Sequence, residues 1–211
     1  MKIVLLGPSG AGKGSISELV KRDFEIPHIS SGSLFREHVA NRTALGIEVE
    51  DYVNSGHFVP DDLTFQMIME RIEQSDCISG FLLDGFPRTL RQAELLADFV
   101  NMDYVFDLRI SDDIVAKRLS GRFMCSACNA IHNKMTSDLT ACRVCGGAEF
   151  YQREDDTEAV IRLRLKQYHD NIKGILDFYS SHGILHTIDI QLEDRPKEIF
   201  ARICDIIRTQ Q

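Results

Sequence analysis

The stretch Gly7-Pro8-Ser9-Gly10-Ala11-Gly12-Lys13-Gly14-Ser15 has the residue types and spacing that most directly suggest chemistry. Its glycines permit a tight turn with backbone N–H groups pointing inward, and Lys13 adds a full positive charge. A short apolar run, Ile3-Val4-Leu5-Leu6, leads into it. A helical pattern with Ile16, Leu19, Val20 and Phe24 on one side leads out. Strand, glycine loop and helix together make the context a phosphate-binding loop requires, because the helix offers its positive end to the anion. The usual pattern has Ser or Thr directly after the Lys. Here Gly14 holds that place and the hydroxyl arrives one residue later, at Ser15.

Two other groups of residues carry chemical meaning. Asp84 ends the apolar run Phe81-Leu82-Leu83 and is followed by a turn, Gly85-Phe86-Pro87-Arg88. An aspartate at the end of a core strand beside a phosphate loop reads as the group that positions Mg²⁺, directly or through water. Cys125-x2-Cys128 and Cys142-x2-Cys145 form two pairs separated by 13 residues. Each pair fits a tight knuckle offering two thiolates to one tetrahedral ion, which predicts a structural Zn²⁺ site with no ligand position left for water. The separation is slightly below the general ~15–20 residues. Cys77 and Cys204 stand alone and read as packing residues.

The elements that must position these groups alternate. Strands are expected near 2–6, 26–29, 79–84, 104–110 and 184–190, with helices between them, which predicts an α/β fold with a parallel sheet covered on both faces. The segment from Arg36 to Asp51 reads as one helix by composition. Glu154-Asp155-Asp156 reads as the start of a long helix reaching about Tyr179, with its acids at the positive end. Residues 121–155 hold the four paired cysteines and show little apolar pattern, so they read as a small insertion. Arg118 and Arg122 are four apart and share a face if their helix continues through Gly121.

Charge and length narrow the functional classes. The chain has 211 residues, enough for one domain with insertions, and a net charge of −8, which argues against a nucleic-acid partner. An acidic protein that handles polyphosphate must gather its basic groups locally. No apolar run approaches the ~18–20 residues needed to span a bilayer, and the chain enters a strand without a charged leader, so a cytoplasmic protein is expected.

Several further stretches are spaced as in one family. Ile29-Ser30-Ser31-Gly32-Ser33-Leu34-Phe35-Arg36, the run from Gly80 to Thr89 containing Asp84-Gly85-Phe86-Pro87-Arg88, Gly121-Arg122 and Arg153-Glu154-Asp155-Asp156 join the Gly12-Lys13-Gly14 loop. From residue 1 to about 180 the chain resembles adenylate kinases of the long-lid, zinc-containing type. The resemblance implies a three-layer fold like that of P-loop nucleoside triphosphate hydrolases, with a five-stranded parallel sheet. It implies a core of residues 1–29, 60–120 and 156–211, a helical insertion for the monophosphate at 30–59, and a zinc-ribbon-like lid at 121–155. The activity implied is reversible transfer of the terminal phosphoryl group of Mg-ATP to AMP, giving two ADP, by a monomer.

Roles follow from the same resemblance. Gly10, Ala11, Gly12, Lys13, Gly14 and Ser15 would hold the ATP phosphates, with Arg118 and Arg122 touching ATP. Ser31, Arg36, His57, Phe58, Val59, Gly85, Phe86, Pro87, Arg88 and Gln92 would hold AMP. Arg153 and Arg164 would bridge the phosphates, and Asp84 would organise the Mg²⁺ waters. Lys13, Asp84, Arg88, Arg122, Arg153 and Arg164 would carry the catalysis. Family members usually have Asp where Ser33 stands, Pro where Ser9 stands and Thr where Ser31 stands. The C-terminal adenine-contacting segment matches only ambiguously, near Arg195-Pro196. A kinase for UMP, CMP or GMP and a catalytically weak nucleotide sensor are the competing readings.

Overall fold

A computed structural model describes residues 1–135, 137–153 and 156–210. In chain order the elements are β1 (Lys2–Leu6), α1 (Lys13–Phe24), β2 (His28–Ser30), α2 (Ser31–Ala40), α3 (Ala44–Ser55), α4 (Asp61–Ile72), β3 (Phe81–Asp84), α5 (Leu90–Phe99), β4 (Tyr104–Arg109), α6 (Asp112–Ser120), β5 (Arg122–Cys125), β6 (Ile131–Asn133), β7 (Phe150–Tyr151), α7 (Glu158–Ser181), β8 (Leu185–Asp189) and α8 (Pro196–Thr209). Five of the strands form one sheet in the order β2-β3-β1-β4-β8, parallel throughout.

The apolar runs of this sheet are buried on both faces, as parallel strands between helical layers must be. Alternate residues serve opposite cores. Val4, Leu6, Leu83 and Val105 join Phe35, Ile68, Leu96 and Ile175 on one side. Ile3, Leu5, Leu82, Phe106 and Leu108 join Ile16, Val20, Ile199 and Ile203 of α1 and α8 on the other. In the registers Leu5↔Asp84 and Ser30↔Asp84, the carboxyl ends of β1, β2 and β3 lie side by side. The glycine loop, Asp84 and Ser31 therefore meet at the edge of an open α/β sheet where ligands bind.

Four local expectations are corrected. The helix expected over 36–51 is two helices, broken at Asn41-Arg42-Thr43. Arg42 is left-handed (φ 49°), and the Thr43 hydroxyl caps α3 by accepting from the Gly46 N–H. Thr43 competes with the helix through its own side chain, which composition alone underweights. The long helix starts at Glu158, capped by Thr157, and does not include Asp156. Glu154 and Asp155 lie outside the described residues. The segment 121–155 has more order than its pattern suggests, since β6-β5-β7 make a small antiparallel sheet. Finally, α6 ends at Ser120 with Gly121 as its cap, so Arg118 and Arg122 share no helix face.

One buried group works against stability. Asp107, in β4, is 2% exposed, and its Oδ1 has no hydrogen-bond partner among the described residues. Burial pushes its carboxyl up from the ordinary value, Arg109 pulling it down and Asp189 adding to the rise. An acid whose native pKa lies above its unfolded value costs stability as pH rises from the unfolded value through the native one. Asp107→Asn should therefore raise the melting temperature at pH 7 by roughly 2–4 °C, about 1 kcal/mol. The gain should vanish below the ordinary carboxylate range, as thermal unfolding between pH 3.5 and 8 would record.

Candidate active site

The glycine loop forms as its sequence requires. Gly10 (φ 92°) and Gly12 (φ 96°) take left-handed backbone that side chains disfavour. The loop closes with the Ala11 N–H on the Pro8 carbonyl at 3.1 Å. Gly12 caps α1 with no side-chain bond, which leaves the first-turn N–H groups to an anion. The Lys13 ammonium donates to the carbonyls of Gly7 (2.8 Å) and Pro8 (3.0 Å) and stands 3.9 Å from Asp84. The Ile131 Cδ1 methyl, from β6, lies 3.3 Å from where a Cβ at Gly14 would stand. The strand that covers the loop thus approaches its backbone closely.

Asp84 sits between the loop and a second group of residues. Burial alone would raise its carboxyl, but the hydrogen bond from His28 Nε2 (3.3 Å) and the charges of Lys13, His28 and Arg88 outweigh burial and hold it below the ordinary value. On the far side, the Ser31 hydroxyl donates to the Gly85 carbonyl at 2.6 Å. The Arg88 guanidinium donates to that carbonyl (Nε, 2.7 Å) and to the Ser31 oxygen (3.3 Å). The Phe58 ring lies 5.4 Å from the Arg88 guanidinium carbon.

Positive charge is concentrated here. Lys13 is lowered from its ordinary pKa by burial, opposed by Asp84 and reinforced by the charges of Arg88 and Arg122. Arg88 is brought down to about 10 by burial and by Arg164, with Asp84 opposing. Groups that depress one another in this way gain from a polyanion between them. The net charge of −8 is therefore compensated locally around Asp84.

Arg122 opens β5 and makes a two-pronged pair with Asp156, Nε donating to Oδ2 at 2.7 Å and the terminal nitrogen donating to Oδ1. Both side chains are largely buried. The Arg153 carbonyl accepts from the Asp156 N–H at 3.1 Å, so Arg153 belongs to the same turn. Arg118 lies against the glycine loop, donating to the Ala11 carbonyl and to those of Gln191 and Asp194, each at 3.3 Å. This draws the 191–194 segment to the loop.

The remaining residues expected around an acceptor divide by environment. Arg36 donates to the Ser33 hydroxyl at 3.3 Å. His57 is exposed, with Nδ1 2.9 Å from the Ser55 hydroxyl. Val59 and Phe86 are buried in the core, and the Phe86-Pro87 bond is cis. Gln92 is also buried, its carbonyl accepting from the Arg88 N–H (2.7 Å) and its amide donating to Asp61 (2.7 Å). One lone pair and one N–H of the amide are left for other partners.

Sequence reasoning missed four residues of this network. His28 and Asp156 contact expected site residues. Asp61 also accepts from the Thr89 hydroxyl at 2.9 Å. Gln167, on α7, donates to the Gly56 carbonyl and accepts from the Phe58 N–H, both at 3.0 Å. Asp61 and Asp156 stand inside stretches already singled out, but as helix-start residues. For His28 and Gln167 no local signal exists, because each acts on residues far away in the chain.

The four paired cysteines converge, their sulfurs all within 4.8 Å of one another. The two knuckles repeat one backbone pattern. Cys125 donates its N–H to Ala130 and accepts from Asn129, and Cys142 donates to Gly147 and accepts from Gly146. Asn129 (φ 57°) and Gly146 (φ 76°) take the same left-handed turn. Cys125–Cys145 and Cys128–Cys142 are each 3.6 Å apart. Four sulfurs at ~2.3 Å from a tetrahedral ion stand about 3.8 Å apart, so the donor set fits Zn²⁺. Desolvation disfavours the Cys142 thiolate, but the N–H groups of Cys145 and Val144, with His132 and Cys128, bring that thiol down to about 5.

Comparison with known proteins agrees with this geometry. The family model described as adenylate kinase matches residues 5–184. An adenylate kinase of Lactobacillus johnsonii is 40% identical, the match covering 98% of each chain. One of Enterococcus faecalis is 42% identical over 90% of this chain and 91% of its own. One of Thermosipho melanesiensis is 40% identical over 99% of this chain and 100% of its own. With the phosphate loop and the four-cysteine cluster in place, and the family model matching residues 5–184, the chain belongs to the adenylate kinase family.

Proposed function

We propose that this protein transfers the terminal phosphoryl group of Mg-ATP to AMP, reversibly, giving two ADP. Asp84 is the observation that carries the reading. It is held between Lys13 on the donor side and the Arg88–Ser31–Gly85 group on the acceptor side, among cations that repel one another. Phosphoryl transfer needs alignment and charge compensation more than covalent help from the protein.

In this reading, residues 10 to 15 bind the donor phosphates and Arg118 and Arg122 flank them. Ser31, Arg36, the 57–59 segment, residues 85–88 and Gln92 hold the acceptor, and Arg153 and Arg164 span the two. Mg²⁺ accompanying ATP supplies neutralisation of the phosphate oxygens. Asp84, oriented by His28, would hold its water shell, and Ser33 brings no second carboxylate. Residues 30–59 and 121–155 act as lobes that close over the nucleotides and keep water out. The cysteines give the second lobe its shape through Zn²⁺. Residues 1–29, 60–120 and 156–211 form the frame. The partners are small nucleotides and the protein acts as a cytoplasmic monomer. Among the described residues no helix is long and apolar enough to cross a membrane.

The test is the initial rate of ADP formation from Mg-ATP with AMP, CMP, UMP, GMP or no acceptor. Fast turnover with AMP alone is expected. Preference for another monophosphate would overturn the acceptor, and nucleotide binding without turnover would overturn the enzyme.

Gln167 offers a narrower check. Its two bonds to the 56–58 backbone fix Phe58 over Arg88, and each is worth about 0.5–1.5 kcal/mol. Gln167→Ala should raise KM for AMP about 10-fold and leave KM for ATP unchanged. Equal changes in both would show that the clamp does not belong to the acceptor side.

A further inference from the structure

Three consecutive residues of β6 touch three different parts of the molecule. Ile131 lies over Gly14 of the phosphate loop. His132 points the other way, is buried, and places Nε2 3.3 Å from the Cys142 sulfur. Asn133 donates to the Arg118 carbonyl at 2.7 Å, where α6 runs out toward the lid. The His132 ring meets Phe150 of β7 edge-on, with centroids 5.1 Å apart. Strand alternation produces this division, since neighbours on a strand face opposite sides.

His132 and Cys142 belong to different knuckles. His132 follows the first, four residues after Cys128, and Cys142 opens the second. The imidazole Nε2 therefore reaches a sulfur of the other pair of cysteines. The Val144 N–H donates to the same sulfur at 3.4 Å. A thiolate bound to a cation keeps lone pairs that accept such bonds, and outer-shell donors of this kind fix the direction of the metal–ligand bond.

We propose that His132 is a positioning residue of the metal centre. It orients Cys142 through an Nε2–H to sulfur hydrogen bond, and because it stands between Ile131 and Asn133 it couples filling of that centre to the seating of β6 over the phosphate loop. The proposal rests on the reading of the four cysteines as a Zn²⁺ site, and the experiment separates the two.

Wild type, His132→Phe and His132→Gln are compared as full-length proteins. Phe keeps an aromatic ring against Phe150 but has no donor, and Gln keeps an N–H donor. Zn²⁺ affinity is measured by competition with a chromophoric chelator, and the Co²⁺-substituted proteins are compared by their sulfur-to-metal charge-transfer bands. The H132F variant should bind Zn²⁺ about 10–100-fold more weakly, the range typical of lost outer-shell partners. It should also show a shifted Co²⁺ band and a raised KM for ATP. H132Q should recover most of the affinity and the band position. If H132F does not fold, H132Q carries the test through its own affinity and band. Wild-type affinity and an unshifted band in H132F overturn the proposal while leaving the metal site intact. Weakening of H132Q alone shows that ring packing, and not the hydrogen bond, is at work, and weakening of both variants alike shows that a donor at 132 does not restore the centre; either result overturns it too. Failure of the wild type to bind one Zn²⁺ overturns the metal reading itself, and the proposal with it.

Discussion

Lys13→Met should lower the rate of phosphoryl transfer by roughly 10³-fold or more while leaving the fold as stable as before. The rate estimate follows from cations that act on the transferring group in related chemistry, each worth about 10³–10⁵. The stability estimate follows from the surroundings of the ammonium. Lys13 is lowered in pKa by burial first, and Arg88 and Arg122 add to the lowering while Asp84 opposes it. A base with a depressed native pKa costs the folded protein free energy at every pH below its unfolded value, neutral pH included. Methionine removes that cost and keeps the stem. The melting temperature should therefore hold or rise, as calorimetry beside the rate assay would record. A large fall in melting temperature would mean that the bonds to Gly7 and Pro8 hold the loop together, and that the lost rate reflects a damaged loop.

Arg122→Met should be damaging in both respects. Arg122 and Asp156 satisfy each other at two points in a largely buried pair that joins the start of β5 to the turn before α7. Removing one partner strands a buried carboxylate, at a cost of about 3–5 kcal/mol. It also removes a cation from the group facing Lys13. Both the melting temperature and the rate should fall, the rate by about 10³-fold. The double variant R122M/D156L separates the effects. With no orphaned charge it should recover most of the lost stability, because an apolar replacement of both partners is often neutral. The rate should stay low. Recovery of rate in the double variant would show that Arg122 serves only to hold the two segments together.

Those predictions draw on features of very different visibility in the sequence. The phosphate loop is legible because its chemistry is local: the turn, the lysine and the helix start all lie within residues 7 to 16. Asp84 is legible because a single carboxylate ends an otherwise apolar strand. The sheet is legible because parallel strands buried on both faces read as continuous apolar runs. The three lid strands are not, because they are two to four residues long and alternate weakly around cysteines and turn residues. Nor is the break between α2 and α3, where a threonine side chain decides the backbone against good helix composition. The pairs His28–Asp84, Arg122–Asp156 and Gln167–Phe58 join residues 34 to 109 positions apart. Contacts of that separation exist only once the sheet has brought the segments together, so no window along the chain contains them. Gly14 is the instructive intermediate case. Its departure from Ser or Thr is plain in the sequence, whereas the tip of the Ile131 side chain beside it is visible only in the fold.

The most direct measurement is ³¹P NMR of the purified protein with ADP as the only nucleotide and Mg²⁺ present. A site that aligns two nucleotides head to head across Lys13, Asp84 and Arg88 must run in both directions. ATP and AMP should appear in equal amounts until equilibrium, with no free phosphate, and chelation of Mg²⁺ should stop the reaction. Formation of AMP and inorganic phosphate without ATP would mean that water, not a second nucleotide, is the acceptor, and an unchanged ADP spectrum would mean no transfer at all. Either result would contradict the assignment of this site to ATP:AMP phosphotransfer.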